Sequence, residues 1–145
     1  MCDLKMISYY IIAQNKINSN MKIKEAILEP AISHLIQLCK EELGITELPH
    51  IHLISNQSFI ESGDKKSFGE FNGNHVKVIT KGRHPLDVMR TLAHELTHWK
   101  QQLEGDVMDG EDGSDVENEA NSTAGIIMRK FAEKYPDSFL SSIPD

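Results

Sequence analysis

The apolar positions of the chain follow a few clear periods. Between Lys22 and Leu43, the residues Ile23, Ala26, Ile27, Ala31, Leu35, Leu38 and Cys39 recur at helical spacing. Pro30 inside that run predicts a kink or a division of the helix, and Gly44 suits its end. "PHIHLIS" alternates around Ile51 and Leu53 and predicts a strand. "SFGEFNGNHVKVIT" predicts a hairpin. Asn72-Gly73 supplies its turn, since both residues tolerate positive φ, and Val76 and Val78 then alternate with their neighbours.

"RHPLD" opens the next helix, with Pro85 at its first position and Asp87 bringing negative charge to the N-terminal dipole. The pattern carries it to about Glu104, and Gly105 ends it. Leu92, Leu96, Trp99 and Leu103 form its apolar stripe. "GDVMDGEDGSD" is acidic and glycine-rich, which predicts a loop. A last helix runs from about Val116 to Lys134 and closes at Tyr135-Pro136. Helix, three strands, helix, helix is an α+β order, built on a small, mostly antiparallel three-stranded sheet.

Length and composition narrow the picture. The 145 residues fit a single domain over 21–145, with residues 1–20 as an N-terminal extension. The apolar run Met6 to Ala13 is too short to span a bilayer and is followed by no clear cleavage site. A cytoplasmic protein with no membrane partner is therefore expected. A net charge of −7 argues against a nucleic-acid surface. Cys2 and Cys39 form no metal or disulfide framework, and Cys39 reads as a small buried hydrophobe.

Candidate chemistry sits in "RTLAHELTHWKQ". At about 100° per residue, His94 and His98 lie on one helical face one turn apart, a spacing at which two imidazoles can hold one Zn²⁺. Glu95 stands beside them, placed to take the proton of an attacking water. A chain of this composition contains roughly 0.03 such motifs by chance, so a solvated turn of helix is a real competitor. The apolar stripe lies roughly opposite His94, which leaves the histidines facing solvent or a cleft.

A third ligand decides between them. In "DVENEANSTAGIIMRKF", Glu117, Asn121, Ala124, Met128 and Phe131 form one stripe that turns apolar after its first turn. A carboxylate on an inward-facing stripe is costly unless paired or bound to metal. Glu119 projects about 200° away and should face solvent. Glu117 is therefore the preferred ligand over a carboxylate that merely serves the helix dipole. The Asn121 amide could accept the outer ring N–H of His94 or His98, or be a surface asparagine.

His94-Glu95-x-x-His98 followed by Glu117-x-x-Ala120-Asn121 resembles the gluzincin zinc metallopeptidases. It is similar to compact members with a Glu-x-x-Ala-Asn or Glu-x-x-Ala-Asp second motif, such as the minigluzincins and the phage-repressor-directed immunity peptidases. The lead-in "RHPLDVMRTLAHELTHWKQ" also resembles small metallopeptidases encoded by phages. The likeness covers roughly Phe68 to Phe131. It implies a compact zincin-like fold, Zn²⁺ held by His94, His98 and Glu117, Glu95 as general base, and a protein or peptide substrate cut internally. Two departures stand out. Many relatives carry aspartate at the position of Asn121, and no Tyr, His or Arg is identifiable as the oxyanion partner.

Further expectations concern the surroundings. An edge strand over Val76 to Thr80 would align the substrate by β-augmentation, with His75 near the oxyanion or simply in solvent. His84 reads as structural, His34 as surface, and His50 and His52 as flanking a strand without partners. The acidic run Glu104 to Glu119 does not fit the EF-hand register and reads as a solvated loop whose negative rim would favour basic substrates. The rival to an enzyme is a zinc-stabilised binding domain, closed by a fourth ligand such as His75 or Asp115. An amidase acting on non-protein amides is a variant of the enzyme reading.

Overall fold

Helix α1 (Met21–Leu43) runs through Pro30 without a break and ends at Gly44, which takes a positive φ of 67°. In this computed structural model the described residues are 21–62, 64–106 and 113–141; the predicted extension 1–20 and residues 107–112 of the acidic loop lie outside them. The other elements are β1 (His50–Ile54), β2 (Ile60–Ser62), β3 (Lys65–Ser67), β4 (Gly69–Asn72), β5 (His75–Ile79), α2 (Pro85–Leu103), α3 (Asp115–Lys134) and α4 (Pro136–Ser141). The fold is α+β, as the order of periodicities predicts.

The three expected strands form one sheet of order β1-β5-β4. β4 and β5 make the anticipated hairpin, with Phe71 opposite Val76, and Gly73 alone takes positive φ at its turn. β1 joins β5 in parallel, His50 beside His75, because the long path between them crosses over instead of turning back. Two antiparallel pairings and one parallel one result, since β2 and β3 form a separate short hairpin that the sequence patterns do not announce. β5 is thus the central strand. The expected substrate-binding edge over Val76 to Thr80 is corrected: the edge beside the helices is β4.

Alternation splits the sheet into two faces. Ile51, Leu53, Val76 and Val78 are buried and face the helices, while His50 and His75 are exposed. α1, α2 and α3 supply the other half of the core through side chains such as Leu35, Ile36, Met89, Leu92, Leu96, Ile127 and Phe131, all fully buried. Each such side chain contributes roughly 1.5–3 kcal/mol by leaving water. Trp99 completes the α2 stripe and donates its indole N–H to Glu47 O at 2.9 Å. Leu103 does not join the stripe: it lies half exposed at the helix end. Among the described residues no helix is long and apolar enough to cross a membrane.

Cys39 is buried in this core, as its place in the helical pattern predicts, and burial, helped by Glu42, pushes its pKa up from 9.0 to about 12. Between those values the unfolded chain releases a proton that the folded chain keeps. Stability therefore falls as pH rises above 9, by up to ~1.4 kcal/mol per unit from this thiol. Urea midpoints measured from neutral pH upwards should fall more steeply for the wild type than for Cys39→Ala. Parallel slopes would show that the thiol is not shielded.

Candidate metal centre

α2 begins where the sequence places it. His84 is the N-cap, its ring Nδ1 accepting Leu86 N–H at 3.1 Å, and Pro85 occupies the first turn. Arg83 fastens this end to the sheet. It donates to Ile79 O, Asp87 O and Thr91 Oγ1, and its guanidinium lies 4.5 Å from the centre of the Phe68 ring. α3 begins at Ser114, whose hydroxyl accepts Glu117 N–H at 3.3 Å. In a reciprocal capping box Glu117 would reach back to the cap. Here its carboxylate points at the two histidines of α2 instead.

The contact is close. His94 Nε2 lies 3.2 Å from one Glu117 oxygen and His98 Nε2 lies 2.7 Å from the other. The two imidazole nitrogens are 3.1 Å apart, with their rings nearly perpendicular. His94, Glu95 and His98 also bring one donor atom each within 4.8 Å of one another. Glu117 is the better third ligand, because each of its oxygens faces an imidazole nitrogen.

Outer contacts fix the ring of His98. Gln101 is fully buried, and its amide nitrogen donates to Val116 O at 3.1 Å and Glu119 Oε1 at 2.7 Å. Both partners are acceptors, so the amide oxygen must be the atom facing His98 Nδ1, at 2.8 Å. His98 then carries a proton on Nδ1 and turns its Nε2 toward Glu117. A contact of 2.7 Å between Nε2 and a carboxylate oxygen needs a positive charge between the two, either a proton or a metal cation. His94 resists supplying that positive charge as a proton. Burial and His98 hold its pKa below the ordinary value, against the opposing pull of Glu117 and of a hydrogen bond donated to the Asn121 side chain.

A divalent metal fits these donors. Tetrahedral ligands bonded at about 2.0–2.1 Å stand about 3.3 Å apart, and two of the three separations here, 3.1 and 3.2 Å, come near that edge length. Two imidazoles and a carboxylate are a donor set suited to zinc.

Sequence spacing missed several features of this centre. Asn121 serves His94, whereas the partner of His98 is Gln101, three residues along the same helix. That i, i+3 spacing was the available signal. Glu119 is exposed as expected, yet it accepts from Gln101. His75 lies exposed on the opposite face of the sheet with His50 and His52, which leaves the solvent-facing alternative and not the oxyanion.

Glu95 lies between α2 and the edge strand, 7% exposed. Burial, then Glu117 and Glu70, raise its pKa to about 8. Gly69 of β4 makes room for it: a Cβ there would stand 2.6 Å from Thr91 Cγ2 and 2.7 Å from Glu95 Oε2. Gly69→Ala is expected to lose about 1–3 kcal/mol by overpacking, read as a lowered urea midpoint. An unchanged midpoint would mean the strand stands further from the helix.

A cleft of about 860 Å³ opens over Glu95 and His94. Lys65, Lys66 and Arg90 line it together with Glu95 and Glu117. Among the described residues its wall is therefore cationic around the acidic centre; residues 107–112 of the acidic loop, on which the expected negative rim rests, lie outside them. No protein-family model, curated protein or solved structure matches the chain.

Proposed function

We propose that the protein is a zinc-dependent metallopeptidase, an endopeptidase of gluzincin type. The reading is carried by one observation: two imidazole nitrogens and both oxygens of Glu117 converge from separate helices, with Glu95 beside them under an edge strand. His94, His98 and Glu117 would hold the ion. Zinc bound there would supply a Lewis acid that polarises a carbonyl and lowers the pKa of water.

The chain's own residues do the remaining work. The exposed edge of β4 pairs with an extended peptide and lays a backbone carbonyl over the cleft. The Glu95 carboxylate takes a proton from the attacking water and delivers it to the leaving amine nitrogen. Burial beneath Gly69 keeps that carboxylate basic and dry. Gln101 holds His98 in the tautomer that leaves Nε2 free. Lys65, Lys66 and Arg90 favour acidic residues near the scissile bond.

The test is metal analysis combined with a peptide-library assay, before and after chelation. One essential zinc, cleavage lost on chelation and restored by zinc, and acidic peptides cut ahead of basic ones are expected. A protein that binds zinc and unfolds on chelation without ever cleaving a peptide would instead favour the zinc-stabilised binding domain. Activity on wall fragments but not on peptides would favour the amidase variant.

A further inference from the structure

The polar face of the sheet carries three of the seven histidines side by side. Parallel pairing sets His50 directly beside His75, and the two-residue strand period puts His52 on the same face. The His75 ring lies between the other two, with centroids 5.0 Å from His50 and 5.3 Å from His52. His52 Nε2 is 3.1 Å from His75 Nδ1, the same separation as between the two imidazoles of the α2 motif.

We propose that His50, His52 and His75 form a second binding site for a divalent transition-metal ion, on the face of the sheet turned away from the candidate peptidase centre. Two imidazole nitrogens at this separation already match one edge of a tetrahedral site, which needs about 3.3 Å. His50 stands exposed at the first residue of β1 with its ring stacked 5.0 Å from that of His75, and it would join this pair as third ligand by turning its ring toward them. Imidazole donors select zinc, copper or nickel over calcium or magnesium. The remaining positions would hold water.

His52 is held below its ordinary pKa by burial, then by His75, Lys77 and His50, so it is ready to ligate. Lys77 opposes a cation, but Glu70 stands opposite it on β4 and offsets its charge. Three stacked imidazoles on an exposed surface bury little apolar area and repel one another when protonated. A shared cation converts that repulsion into coordination.

The site does not depend on the peptidase reading and is tested apart from it. Full-length protein is dialysed against zinc and its metal content measured for the wild type, His52→Gln/His75→Gln and His94→Gln/His98→Gln, with circular dichroism as the folding check. Loss of one equivalent in the His52/His75 variant is expected, with one equivalent kept in the His94/His98 variant. Should the His94/His98 variant fail to fold, the His52/His75 variant alone decides, because its changes lie on the surface. Wild-type zinc content in folded His52→Gln/His75→Gln overturns the proposal, and so does a folded His94→Gln/His98→Gln that binds none.

Discussion

Glu95→Gln is expected to bind zinc as the wild type does and to lose about 10²–10⁴ of its peptidase turnover, the range that a positioned acid–base group contributes. The substitution is nearly isosteric, so the close approach of Gly69 and the buried environment are kept. What disappears is an acceptor for the water proton and a donor for the leaving amine. The three proposed ligands are untouched, which is why metal content and turnover separate in this variant. Stability supplies an internal control. In chelated protein the wild-type carboxylate is buried near Glu117 and Glu70, and its folded pKa is raised to about 8. An acid raised in this way loses stability as pH climbs past its unfolded value of 4.5, because the unfolded chain ionises first. The amide has no such loss, so chelated Glu95→Gln should be at least as stable as chelated wild type at neutral pH. Inactivity together with lower stability would indicate damage to the fold instead of a missing base. Wild-type turnover would remove Glu95 from the reaction.

The sequence carried those parts of the molecule that are local. Helical spacing defined α1, α2 and α3 to within a residue or two, because each buries one stripe and is bounded by a cap or a glycine. The same spacing placed His94 and His98 on one face, and the inward stripe from Glu117 to Phe131 pointed to the carboxylate that meets them. What was not legible depended on contacts between distant segments. Whether β1 lies parallel or antiparallel to β5 leaves no mark on their alternation, so β5 passed for an edge strand. Gly69 reads as an ordinary strand residue until α2 is seen against it. Gln101 is a surface-type residue by composition, and only the docking of α3 adds the two acceptors that its amide nitrogen meets besides His98 on its own helix. The histidines on the polar face of the sheet lie in separate strands, and register alone unites them.

Glu117→Gln is expected to weaken zinc binding more than the roughly 10–100-fold that follows from losing an outer-shell partner, and to abolish hydrolysis with it. Its two oxygens each face one imidazole nitrogen, at 3.2 and 2.7 Å. An amide keeps the shape but gives up the negative charge, and its nitrogen cannot ligate. Loss of a charge in the first turn of α3 also removes about 0.3–1 kcal/mol of dipole stabilisation, too little to unfold a domain. Asn121→Ala is the comparison. It deletes only a side-chain hydrogen bond to His94, so its zinc affinity should fall within that 10–100-fold range with partial activity left. Equilibrium zinc titration of both variants in a His52→Gln/His75→Gln background isolates the centre on α2 and α3. If Glu117→Gln keeps wild-type affinity there, the carboxylate is a helix-capping charge that happens to lie near two histidines, and the gluzincin reading fails with it. If Asn121→Ala loses as much as Glu117→Gln, the two helices are held together by the amide contact, and the site is an assembly whose ion depends on docking α3 against α2.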